Sequence, residues 1–200
     1  MFLLAQNIFQ KLKNMNQKFS VNAKLKGLSI FRLGIKIVPV TLILVLLVQN
    51  LTGQVVINEI MANNKTIIKS NTGKYSDWIE LYNKGTESVS IAGWMISDNP
   101  ENPSRYAIPS DSPDSMVIAP HGFLLLWADG NTSAGIRHLP FKLSKKGEFL
   151  GIYTLVEGKM VCLDSIRYKG MKQDISFGRK PDGGKNWVDF KKPTPGTKNL

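Results

Sequence analysis

From Gln54 onward the sequence predicts an all-β fold, a sandwich or barrel, preceded by a basic and then apolar N-terminal segment of a different kind. Three observations carry that prediction. After residue 53 helical periodicity is missing, and short apolar runs are punctuated by Gly, Pro, Asn and Asp. The stretch 77–99, DWIELYNKGTESVSIAGWMISDN, alternates with a period of two, which places Ile79 and Leu81 on one face of a sheet and Trp78, Glu80 and Tyr82 on the other. Its two tryptophans, Trp78 and Trp94, supply enough apolar area to seed a core. A domain of this length buries roughly two-thirds of its unfolded surface and stands without disulfides. The single cysteine, Cys162, rules out an intramolecular one.

The elements follow in order. Residues 55–61 form the first strand and 65–75 a polar loop. In the hub, 83–86 is a turn in which Gly85 is placed to take positive φ, and Val89 with Ile91 begins the next run. After Gly93, Trp94, Ile96 and Asp98 alternate with Met95 and Ser97. Pro100 and Pro103 break the chain before a short edge strand at 105–108. The loop 110–115 leads to strands at 116–119 and 123–127, separated by Pro120, His121 and Gly122. A turn at 129–131 precedes another short strand at 141–143. Residues 149–155 and 160–168 make a hairpin across Val156, Glu157, Gly158 and Lys159. Strands at 175–178 and 187–190 flank the Asp182-Gly183-Gly184 turn, and the terminal PTPGTKN is no regular element.

Residues 1–53 are a separate unit. Of the +11 net charge, +7 belongs to 1–50, which hold seven Lys or Arg and no acid. The uncharged run 37–48, IVPVTLILVLLV, follows, then small polar residues to Gly53. Basic flank, apolar run and small residues form the layout of a signal peptide. Twelve helical residues span about 18 Å against a hydrocarbon core of ~30 Å, so cleavage near Gly53 suits the segment better than permanent anchoring through 37–53. A buried core helix is the third reading. In the first two, positive charge stays inside and 54–200 crosses the membrane, to be secreted, periplasmic or held at the cell surface. The initiator is Met1 or Met15.

The motifs VVINEIMANN, DWIELYN, IAGWMISD, IAPHGFLLLWAD, FKLSKKGEFLGIY, DSIRY, DISFGRKPDG and PTPGTKN occur in the order and spacing of a bacterial lamin tail domain, which the chain resembles over nearly all of 54–199. The resemblance implies an immunoglobulin-like β-sandwich. It brings no catalytic residues and no cofactor. Neither a heptad rod nor a prenylation box is present in this sequence, so filament assembly is not implied.

Chemistry-bearing residues are few. Glu59, Asp77, Glu80, Asp98 and Asp129 lie at strand ends or in turns and are the candidates for a Ca²⁺ site, which needs six to eight oxygens, or for a small metal-dependent hydrolase. The competing reading makes them turn formers, cross-strand partners and solvated acids. His121 and His138 lack a second ligand at metal spacing, and neither a nucleophile elbow nor a phosphate loop is present. Cys162, in an apolar run, reads as a small buried hydrophobe.

Charge is uneven within the domain: 54–136 carry a balance of −4 and 137–200 a balance of +8. The basic set Lys142, Lys145, Lys146, Lys169, Lys172, Arg179, Lys180, Lys185, Lys191 and Lys192 makes an anionic glycan or envelope surface the expected partner, with other exported proteins a second class and no nucleic acid. Against it stands the reading in which strands of both halves interleave and the charges scatter. The expected function is an exported, non-catalytic module, structural, adhesive or binding, at the cell envelope. Its export is checked by cell fractionation and N-terminal sequencing of the mature protein; a cytoplasmic product starting at Met1 or Met15 contradicts it.

Overall fold

The computed structural model describes residues 54–111 and 116–200; the signal or anchor helix expected at 37–48 lies outside the described residues. Eleven strands are described: β1 (Val55–Met61), β2 (Trp78–Asn83), β3 (Val89–Ser90), β4 (Met95–Ser97), β5 (Tyr106–Ala107), β6 (Val117–Ile118), β7 (Phe123–Trp127), β8 (Phe149–Val156), β9 (Lys159–Arg167), β10 (Ser176–Arg179) and β11 (Trp187–Phe190). They form a five-stranded sheet in the order β11-β10-β1-β2-β7, a four-stranded sheet β5-β4-β8-β9 and a β3-β6 ribbon. Strands from both halves of the sequence enter both large sheets. The expected edge strand at 105–108 is β5, at the edge of the second sheet.

Ile57, Ile60, Ile79, Leu81, Leu124 and Leu126 from the first sheet share one buried cluster with Ile96, Leu150 and Ile152 of the second and with Trp94. The alternating residues of β2 do separate, but its other face is not solvated. Met61, Trp78 and Trp127 form a second buried cluster, with Ile68 of the 64–76 loop and Leu125 against it. All seven residues of β1 are buried. Period-two alternation therefore marks two packed faces here, one under the partner sheet and one under loops.

One bulge shapes this sheet. Ile57 pairs with Leu81 and Glu59 with Glu80, which leaves Asn58 as the extra residue. At the bulge the Ile57 N–H donates to Asp164 Oδ2 on β9 at 2.9 Å, and the Ile57 carbonyl accepts from Arg179 Nε on β10 at 2.7 Å. Arg179 Nη2 donates to both oxygens of Asp164, at 3.0 and 2.9 Å. Its guanidinium also lies over the Trp187 ring, 4.7 Å from the centroid. A charged pair thus ties the two sheets together at a point where the ladder is broken.

Three expectations need correction. Gly85 does not take positive φ. It is small because a Cβ there would lie 2.3 Å from Gln54 Nε2, and the turn is held by Asn83 Oδ1, which accepts from the Gly85 N–H at 2.9 Å. Residues 141–143 are not a strand: Lys142 makes one isolated bridge to Asp129, while Phe141 and Leu143 enter the core. Their alternation reflects burial rather than pairing. Cys162 is exposed, since β9 is an edge strand and the residue faces away from the core. The hairpin turn does carry its special conformation, with Glu157 at φ 52° and Gly158 at φ 75°.

Ile79→Ala should cost about 2–5 kcal/mol in urea unfolding, because Ile79 is fully buried between the sheets. Asp164→Ala, which leaves the Arg179 charge without its carboxylate in a largely buried place, should cost about 3 kcal/mol.

Candidate functional site

The five acidic candidates divide among three places. Glu59 and Glu80 are not at strand ends; they face each other across β1 and β2 and are fully buried. What buries them is the C-terminal segment 193–199, an irregular strap across the outer face of the sheet. Thr194 donates to Glu59 twice, from its N–H at 3.2 Å and its Oγ1 at 2.9 Å, and the Ser176 hydroxyl makes a very short bond to the same carboxylate. The Gly196 N–H donates to Glu80 Oε2 at 2.6 Å, and Asn58 Nδ2 to Glu80 Oε1 at 3.0 Å. Asn199 finishes the strap, donating from its side chain to the Arg179 carbonyl at 2.7 Å and from its N–H to Asp182 Oδ1 at 3.1 Å. Burial pushes the Glu59 carboxyl above its ordinary value and that of Glu80 up to about 8; the donors around them favour the charged forms but do not outweigh desolvation.

Asp77 and Asp129 lie at the opposite end of β2, where the Ala128 N–H donates to the Asp77 carbonyl at 2.8 Å. Asp77 caps the Asn64 N–H at 3.0 Å, and burial raises its carboxyl. Asp129 Oδ2 is 2.9 Å from Nδ1 of the buried His138, whose Nε2 lies 2.6 Å from Asn71 Oδ1. The Ser76 hydroxyl donates to Asp129 at 3.2 Å rather than to the imidazole, so the group fastens loops and builds no Ser–His relay. A cavity of about 220 Å³ opens beside it, lined by Asn71, Trp127 and 134–138. Asp98 stands apart on the second sheet's side, paired to Arg105 at 2.9 Å. Among the described residues no group of three or more His, Cys, Asp or Glu is placed to hold a metal ion.

The basic candidates sort in two. Arg179 is buried in the Asp164 pair and leaves the set; its position on β10, facing Trp187, removes it from any partner. Lys142, Lys145, Lys146, Lys169, Lys172, Lys180, Lys185, Lys191 and Lys192 are exposed. Four of them converge. The loop 144–147 packs on 168–171: the Met171 N–H donates to the Lys145 carbonyl at 2.9 Å, and a Cβ on Gly147 would lie 2.6 Å from the Tyr168 carbonyl oxygen. That contact sets Lys145 and Lys146 beside Lys169 and Lys172. Glu148, between the two loops, is engaged by the Ser144 N–H and the Tyr168 hydroxyl, both at 2.8 Å.

Asn58, Asp164, Thr194 and Asn199 were not singled out in the sequence. Only the Asn-rich flanks of β1 hint at them, because their roles come from separations of more than 100 residues.

The sequence model of the Lamin Tail Domain family matches residues 49–169. The chain belongs to the lamin tail domain family. The match covers β1 to β9 and the first of the paired lysine loops; in this lamin tail domain β10, β11 and the strap lie beyond it. The family's immunoglobulin-like sandwich agrees with the two sheets described. No curated protein and no solved structure matches the chain.

The raised carboxyls make the lamin tail domain's stability pH-dependent. A carboxyl whose folded pKa exceeds its unfolded value stabilises fully below the unfolded value, near 4.5, and that contribution is lost as pH rises through about 8. The urea midpoint should therefore be higher at pH 5 than at pH 9, and Glu80→Gln should flatten the difference; an unchanged slope in that variant contradicts the assignment.

Proposed function

We propose that this protein is an exported, non-catalytic binding module that docks on an anionic glycan or envelope surface. The observation that supports it best is the pair of apposed loops carrying Lys145, Lys146, Lys169 and Lys172, beside which Glu148 is already used internally. Fixed backbone beneath flexible ammonium groups suits a polyanion of repeating charge rather than one shaped ligand. Membership of a family built on an immunoglobulin-like module agrees with binding rather than catalysis. The division of the five carboxylates among three places weakens the metal-dependent hydrolase reading. The basic flank before 37–48 supports export, with 37–53 either removed or kept as the membrane attachment.

The domain should stay on a heparin column beyond ~0.15 M salt and elute as screening shortens toward a few ångström. Changing Lys145, Lys146, Lys169 and Lys172 to Gln should bring elution below that point, while changing Lys180 and Lys185 should matter less. Equal effects from both sets would favour diffuse charge over the loop pair.

A further inference from the structure

We propose that the tip of the β8–β9 hairpin is a second docking element, one that seats in the interfacial layer of a lipid bilayer. The register pairs Leu155 with Met160 across the hairpin, and both are exposed, at 45% and 39%. The last β8 residue paired with β4 is Tyr153, so 154–161 project as a two-stranded ribbon beyond the sheet. Leu155 and Met160 share a face with Cys162 and Tyr153, by alternation and register. An apolar cross-strand pair at a solvent-facing tip is the reverse of what keeps a hairpin soluble.

The occupant follows from where the chain enters the sandwich. β1 lies beside β9 and runs in the same direction: the Ile57 N–H reaches Asp164, and the Ala62 N–H reaches Met171 Sδ at 3.4 Å. Gln54 therefore lies at the hairpin-tip end. The lysine loops begin where β9 finishes, roughly 30 Å away along a nine-residue strand. Only residues 49–53 separate Gln54 from the apolar run 37–48, and five residues span at most about 18 Å. This inference rests on the export reading in its anchored form: with 37–48 in a bilayer, the tether holds the Gln54 end, which is also the hairpin-tip end, within reach of that bilayer. Lys159 adjoins the pair, and Lys84, Lys180 and Lys185 lie at the same end around the Gly183 turn, whose Cβ position meets the Lys84 side chain. Glu87 and Glu157 offset much of this charge, so burial of the apolar pair is the main attraction.

Cys162 is the chain's one thiol and provides the probe. The full chain, labelled there with nitrobenzoxadiazole and reconstituted into phosphatidylcholine–phosphatidylglycerol vesicles, should float with them. Its fluorescence should be quenched by nitroxide lipid and shielded from iodide. Leu155→Ser with Met160→Ser should float equally, keep the circular dichroism of the parent, and lose the lipid quenching. A floating protein whose label is open to iodide and untouched by nitroxide lipid overturns the hairpin inference alone. A protein that does not float overturns the anchored reading, and the hairpin inference with it.

Discussion

A single inserted residue, Asn58, sets much of this architecture. The bulge turns the Ile57 amide and carbonyl out of the β1 ladder, and a buried peptide group without partners would cost more than the ladder bond itself contributes. The partners come from far away: Asp164 on the second sheet takes the N–H, and Arg179 on β10 gives to the carbonyl. Because these two also bond each other, the repair of one strand becomes the brace between two sheets. Asn58 itself donates to Glu80 and Asp182 and accepts from the Gly183 N–H at 2.9 Å, which fixes the turn before β11.

The same sheet has two buried faces, and they are covered differently. One lies against β4 and β8, apolar on apolar. The other is closed by the 64–76 loop over Trp78 and Trp127 and by the C-terminal strap over Glu59 and Glu80. A strap without regular structure has backbone donors to spare, and the two carboxylates are the acceptors that satisfy them. Burial of two acids on neighbouring strands is thus tied to holding an irregular tail, and their raised pKa values follow from the water the tail excludes.

The ends of the domain differ in chemistry for a topological reason. Each end collects the turns between antiparallel strands, where side chains are free of packing. One end gathers Lys145, Lys146, Lys169 and Lys172 because Gly147 lets the 144–147 loop lie flat on Tyr168 and Lys169. The other carries the apolar hairpin tip and the entry of the chain at Gln54.

Short apolar runs, alternation and turn residues by themselves placed most strands: β1 and β7 fall on apolar runs, β2 on a period-two stretch, and the β8–β9 hairpin around the Gly158 turn. These signals are local, set by backbone stereochemistry within a few residues. The basic flank, the apolar run 37–48 and the charge imbalance were likewise plain in the sequence. Tertiary structure alone decided which alternating faces met water. Glu80, a candidate cation ligand at a strand end in the sequence, lies inside β2 and is buried because a strap more than 100 residues later covers it. Arg179 read as a free cation and is spent on Asp164. Cys162 read as core and is exposed because its strand ends the sheet. Phe141 and Leu143 alternated without pairing. Whether the deciding contact is near or far along the chain, desolvation depends on what covers a residue in space rather than on its neighbours in sequence.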